Sequence, residues 1–255
     1  MRNVWLIWRK EMRSYFVSPI AYIMLLIFAL LFGWFFWNAI AGFNYYSMQS
    51  MREGQMYPMN VNEMLVRPLL SNIAVIDLFI IPLITMRLFA EEKRTGTIEL
   101  LATSPIRDGE VILGKWLAAV TLYVCMLLIT ALNFIYLFKY GNPDWKVMVI
   151  NYLGVLLEAG AFLAVGTFLS TLTKNQIIAG ATTFGVCLLI FVLGWVSSYN
   201  SETWAQVFSY LSVTTHMESF ARGTIASKDA IYYVSFIFLG LFLTARSMES
   251  LRWRS

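Results

Sequence analysis

The chain has 255 residues, of which 59% are apolar and 13% charged, with a mean hydropathy of +0.65. That balance excludes a soluble globular domain, and a net charge of +4 is too small to mark a nucleic-acid binder. Cys125 and Cys187 both fall inside apolar runs, which suits packing rather than a disulfide or a metal pair.

Residues 2–16 pattern as an amphipathic helix. At 100° per residue, Trp5, Trp8, Met12, Tyr15 and Phe16 share one side and Arg2, Arg9, Lys10 and Arg13 the other, with Leu6 the exception. No small-residue cleavage site follows, so the segment is expected to stay on the protein. Cations facing anionic headgroups and indoles at the interface place such a helix in the headgroup plane. Glu11 projects near its apolar edge, where an acid is either wetted by snorkelling or paired with a charged segment above it.

Ser18-Pro19 opens a first span over about 20–41, and the polar stretch 43–64 reads as a loop. A second span covers about 69–88. Asp77 lies in its middle and Pro82 farther along, so the helix is expected to kink and to turn its carboxylate toward protein or water. The third span runs over about 116–138 and carries Asn133; the turn at Gly141, Asn142 and Pro143 leads to a fourth, about 147–171. That fourth span contains Glu158 and the small-residue series Gly154, Gly160, Ala164, Gly166, Ser170, a pattern that lets helix backbones approach closely. Ala179, Gly180, Ala181 and Gly185 repeat the signal in the fifth span, about 177–196.

Between 197 and 228 neither apolar piece reaches the ~20 residues of a crossing, which predicts re-entrant or interfacial helices. His216, the only histidine, has no companion ligands, so a polar contact is its expected role. A sixth span, about 230–245, leads to a basic tail. Six spans put both termini on one side. Segments on that side carry thirteen Lys and Arg against six on the other, which predicts cytoplasmic termini.

The one long polar block is Arg87 to Lys115, with Arg87, Lys93, Arg94, Arg107 and Lys115 against Glu91, Glu92, Glu99, Asp108 and Glu110. It cannot lie in hydrocarbon. Ile98, Leu101 and Ala102 recur at helical spacing, and Ser104-Pro105 breaks the pattern, so the block reads as a short exposed helix, a break, and a second helix entering the third span. Gly109 to Lys115 matches the opening of a phosphate-binding loop, but Trp116 stands where Ser or Thr should hold magnesium and no strand precedes it. There is no G-x-S-x-G, no H-E-x-x-H and no paired Cys-His set, so hydrolytic and metal chemistry have no support.

The run Glu91-Glu92-Lys93-Arg94-x-Gly96-Thr97-x-Glu99-Leu100-Leu101-x-x-Ser104-Pro105, followed by Leu113-Gly114-Lys115-Trp116, resembles the loop between the second and third spans of type-2 ATP-binding-cassette (ABC) exporter permeases. Arg9-Lys10-Glu11-x-x-Ser14-Tyr15-Phe16-x-Ser18-Pro19 and Phe220-Ala221-Arg222-Gly223 are similar to the gliding-motility-type branch. The resemblance covers nearly the whole chain. It implies an all-α permease of six spans, working as a dimer in the bacterial inner membrane, with an ATPase-docking coupling helix on the cytoplasmic side. The docking residues carried over are Glu91, Glu92, Lys93, Arg94, Gly96, Thr97, Glu99, Leu100, Leu101, Ser104 and Pro105. Its partners would be two ABC ATPase subunits, a second or related permease copy, the lipid bilayer, and an accessory periplasmic or membrane protein. Mg-ATP would sit on the ATPase, with no cofactor on this chain and no catalytic residue. Glu158 matches no acidic position of that pattern; with Asp77 and Asn133 it forms the set of intramembrane polar candidates.

Two other classes remain open to the residues alone. A secondary transporter would need broken helices with ion ligands at mid-membrane, and only Asp77 with Pro82 points that way. A non-transporting anchor of a cell-surface machine would show the same spans and loop. An ATPase reading frame beside the gene separates these from an exporter.

Overall fold

The computed structural model describes residues 2–53, 60–98, 106–141, 143–198 and 203–252. Every regular element among them is helical, and six stretches are long and apolar enough to cross a membrane. Helix α1 (Arg2–Val17) meets α2 (Pro19–Glu53) at a bend on Ser18. Pro19 takes the first helical position, where its missing N–H leaves nothing unpaired.

The loop expected over 43–64 is mostly helix. α2 continues for 35 residues to Glu53, and after residues outside the description a π-helical turn spans Asn62–Val66. Polar residues at 44–53 do not end the helix because an exposed helix face accepts them; Gln49 donates to Glu53 Oε1 one turn on at 2.9 Å. At ~1.5 Å per residue α2 is roughly 50 Å long, well beyond a ~30 Å hydrocarbon layer. It buries one stripe, Ala21, Met24, Phe28, Phe32 and Phe36, and turns Trp34 and Trp37 outward.

Short helices α3 (Arg67–Ser71) and α4 (Ile73–Thr85) are separated by a turn at Asn72, and a turn over 86–89 leads to α5 (Ala90–Thr95). Helix α6 (Asp108–Tyr140) begins earlier than the apolar run, so the charged residues 108–115 form its first two turns. Helix α7 (Trp145–Ser170) starts from Asp144, whose carboxylate accepts from the Lys146 N–H at 2.9 Å. Then come α8 (Gln176–Ser198), α9 (Thr203–Leu211), α10 (Val213–Ala221) and α11 (Ser227–Arg252).

Helix α7 is the axis of the bundle, and its small residues do what their spacing predicts. A Cβ on Gly154 would fall 2.6 Å from Phe220 Cβ on α10, and one on Gly166 would fall 2.7 Å from Thr85 Cβ on α4. Gly240 on α11 lies as closely against Ala164. The series on α8 behaves differently from expectation. Ala179 is fully buried, but Ala181 is exposed and Gly185 has no atom within 4 Å of a built Cβ. A Cβ on Gly180 would lie 3.5 Å from Met86, so Ala179 and Gly180 pack within this chain while Ala181 and Gly185 do not.

The short helices α9 and α10 pack against α8, α7 and α11 at the end of the bundle remote from the termini. Tyr232 donates to the Leu211 carbonyl at 2.7 Å and Tyr233 to the Val213 carbonyl at 2.9 Å, so α11 clasps the junction of the two. His216 makes the polar contact expected of it: Nδ1 lies 2.7 Å from Asp229 Oδ1, Nε2 lies 2.9 Å from the Tyr210 carbonyl, and the ring stacks on Tyr232 at 3.9 Å.

Candidate functional site

The charged block folds onto the end of the bundle that carries the termini, and Lys115 is its centre. Lys115 sits on the second turn of α6 with its side chain almost wholly buried, 2.9 Å from Glu11 Oε1 of α1 and 2.9 Å from Glu92 Oε1 of α5. Its ammonium also lies 5.3 Å from the centre of the Phe89 ring. Lys10 closes the cluster from the solvent side, 3.6 Å from Glu11 and 3.5 Å from Glu92. Two cations face two carboxylates, so the cluster is neutral while each buried charge has a partner, which is the condition for burying charge at all.

Close packing places α1 to make these contacts. Gly114 lets α1 lie directly on α6, because a Cβ there would come 2.8 Å from Ile7 Cβ. Asn3 donates to Glu110 at 2.9 Å and Trp8 to Thr121 Oγ1 at 2.9 Å, pinning α1 on either side of Gly114. Of the two roles open to Glu11, pairing with the charged block is the one the structure shows. Tyr15 is half-buried with its hydroxyl inside, and lines a cavity of about 50 Å³ together with Glu11, Arg87 and Glu91. Burial, and then the Glu11 carboxylate, push its phenol well up, so it stays neutral.

α5 is tied to α7 as well. Ser170 Oγ accepts from the Phe89 and Ala90 N–H groups, each at 3.1 Å, and the Lys93 ammonium donates to the Thr171 carbonyl. Arg87 and Glu91 pair across one helical turn at 3.0 Å. Gly96 ends α5 with φ +74°, the left-handed conformation that favours glycine at that position.

The eleven docking positions taken from the sequence therefore split. Arg94, Gly96 and Thr97 are exposed, and Glu91 and Lys93 are half-buried. Glu92, expected on an exposed face, is instead turned inward to Lys115 with its side chain only 12% exposed. Glu99, Leu100, Leu101, Ser104 and Pro105 lie outside the described residues. The phosphate-loop match is a coincidence in space as in sequence: residues 109–115 are helix, Gly114 faces Ile7, and Lys115 is held by carboxylates.

The intramembrane candidates also separate. Asp77 is fully buried on α4 and accepts from Tyr123 at 2.7 Å, turned toward protein as a carboxylate at that depth must be. Glu158 on α7 is likewise buried, within electrostatic reach of Asp77, but its Oε1 has no hydrogen-bond partner among the described residues. Asn133 is half-buried on α6, ten residues beyond Tyr123, or about 15 Å along the helix, and does not join them.

A bundle of six apolar helices with a neutralised ionic cluster linking an amphipathic helix to a short helix between spans is a membrane component built to be addressed from one end. Over residues 5–245 the chain matches the family described as ABC-2 family transporter protein. The chain belongs to that family. Comparison with curated proteins gives no match. The ABC-2 protein is thus a multi-pass membrane permease, the transmembrane component of an ABC transporter whose partner is an ABC ATPase subunit. The sequence reading of this permease missed Lys115, Ser170 and Thr171 as parts of the site. Lys115 carried a signal: a cation adjoining an apolar run, with an acid at the apolar edge of the preceding amphipathic helix to meet it.

Proposed function

We propose that the permease works as a dimer in an ATP-driven exporter of the bacterial inner membrane, gliding-motility-type branch, and takes its energy through the segment 87–115. The observation that carries this reading is the Lys115 cluster. α5 is joined by one buried cation to α1 and α6 and by Ser170 and Lys93 to α7, so displacement of α5 moves three further helices together. Thirteen cations on the side of the termini against six opposite support a cytoplasmic position for this cluster, the side on which an ATPase carrying Mg-ATP would dock.

Roles follow from exposure. Arg94, Gly96 and Thr97, which are exposed, form the docking surface for each of two ATPase subunits, and Glu99, Leu100, Leu101, Ser104 and Pro105, outside the described residues, are assigned to it on the sequence resemblance alone. Glu91, Glu92 and Lys93 transmit the push. The test is co-expression with the ATPase encoded beside the permease. Arg94→Glu with Thr97→Asp leaves the Lys115 contacts intact, and charge reversal at a docking surface costs several kcal/mol, about 2 or more. Capture of the ATPase should fall at least about tenfold while the thermal midpoint of the permease in detergent stays at the wild-type value. Capture at the wild-type level with unchanged ATP turnover would end the docking assignment.

A further inference from the structure

A second polar feature lies at the opposite end of the bundle and is independent of the ATPase reading. A cavity of about 240 Å³ opens between α3, α4, α7 and α10, lined by Arg67, Ser71, Ala74, Glu158, Thr214 and Met217. Its two ends differ in charge. At the mouth, Arg67 is 37% exposed and makes only a long 3.4 Å contact with Glu218, which is held more closely, at 2.5 Å, by Arg222 outside the lining, so the Arg67 guanidinium stays open to an anion. At the depth, Glu158 is 1% exposed and its Oε1 has no hydrogen-bond partner among the described residues. A buried carboxylate without a partner is among the costliest arrangements in a bundle core unless something cationic or a proton meets it.

We propose that this cavity binds a zwitterionic group, with its ammonium inward on Glu158 and its anionic end on Arg67. The volume is that of roughly eight liquid waters, enough for an ethanolamine phosphate or a small α-amino acid but not for a large cargo. A bare metal cation fits less well, because Glu218, the second carboxylate of the lining, is already paired with Arg67 and Arg222, and Glu158 with the hydroxyls of Ser71 and Thr214 falls short of the six or more oxygens a hard cation takes. No cluster of three metal-ligating side chains exists among the described residues. An ammonium needs only the single carboxylate plus one or two oxygens. The Arg67 guanidinium keeps donors beyond those aimed at Glu218 and offers a planar fork to phosphate or carboxylate. The same chemistry occurs on a free solute and on the headgroup of an ethanolamine lipid, and the experiment separates the two.

The full-length permease in detergent is titrated with O-phosphoethanolamine, with ethanolamine and with glycine, and thermal stabilisation is read. In parallel, nanodiscs containing phosphatidylethanolamine or phosphatidylglycerol are compared by native mass spectrometry for retained lipid. Stabilisation by a soluble zwitterion identifies a solute site, and selective retention of the ethanolamine lipid alone identifies a headgroup site. In either case Glu158→Gln, which keeps the shape and removes the charge, should weaken binding at least about tenfold, as the loss of one charge-assisted bond requires. Arg67→Ala should weaken the zwitterion but not ethanolamine. Ala74→Leu, which fills the cavity without touching a charge, should weaken both, so that loss of binding is not read from Glu158→Gln alone. Absence of binding tighter than about 1 mM for every probe, or binding indifferent to Glu158→Gln and Ala74→Leu, would overturn the proposal.

Discussion

The two ends of this bundle are held together by different chemistry. At the end with the termini, long charged side chains from α1, α5 and α6 meet at Lys115, and Lys10 joins them from solvent. At the other end, rings on α11 and α10 grip backbone carbonyls: Tyr232 on Leu211, Tyr233 on Val213, His216 on Tyr210. A lysine with four rotatable bonds can exchange one carboxylate for another as helices move. A ring hydroxyl fixed on a main-chain oxygen inside a packed aromatic cluster cannot. From that difference we expect movement at the charged end and rigidity at the remote end, and each variant below either breaks that contrast or makes it sharper.

The largest effect is expected from Lys115→Met. It leaves Glu11 and Glu92 facing each other with only Lys10 between them, and breaking a buried pair from one side typically costs about 3–5 kcal/mol. The thermal midpoint in detergent should fall by more than for any other single substitution at that end. Lys10→Ala removes a cation whose side chain is 65% exposed, and should cost under ~1 kcal/mol. Lys115→Arg keeps the charge and should recover part of the loss. Equal midpoints for Lys115→Met and Lys10→Ala would mean that packing through Gly114, and not the ionic cluster, holds α1 in place.

That contrast also marks where the sequence could be read and where it could not. The six spans, the short helices before α11 and the amphipathic α1 follow from patterns within one segment, where periodicity and length decide; the helix expected around Ile98, Leu101 and Ala102 falls largely outside the described residues, and the short helix described in that block is α5. Glu11 was legible as an acid in need of a partner. Its partner was not, because Lys115 lies 104 residues away and only the packing of α1 on Gly114 brings them together. Asp77 and Tyr123 are likewise 46 residues apart. The length of α2 was misread for a different reason: polar side chains over 44–53 signal exposure, and exposure is compatible with helix as well as with loop. Glu158 shows the same limit, since its cavity exists only where α3, α4, α7 and α10 meet.

A smaller effect tests how far rigidity extends toward the charged end. Thr85 closes α4 just before the turn to α5, and Gly166 packs on it one turn before Ser170 anchors that turn. Gly166→Ala should cost about 1–3 kcal/mol, as overpacking does in a filled core. Gly185→Ala meets open space on α8 and should leave stability unchanged or slightly raised, because alanine is the better helix former. If both variants melt together with the wild type, α4 and α7 have slack between them, and α5 is coupled to the bundle by the Lys115 cluster and the Ser170 and Lys93 contacts without help from Gly166.

The smallest effect probes the rigid end itself. Tyr233→Phe removes one hydroxyl and with it the side-chain hydrogen bond to the Val213 carbonyl, for a cost of about 1 kcal/mol. Its value lies in where the loss appears. If the remote end is one rigid clasp, hydrogen exchange should quicken through α9 and α10 together, since both hang on the same junction at Leu211 and Val213, and should stay unchanged in α1 and α5. Sub-global opening of this kind follows contiguous units that share contacts, not distance along the chain. Faster exchange in α1 would show that the two ends open as one unit and would cancel the contrast between them. Faster exchange in α10 alone would place the hinge at Ser212, between the two short helices, and reduce the clasp to the contacts His216 makes with Asp229 and Tyr232.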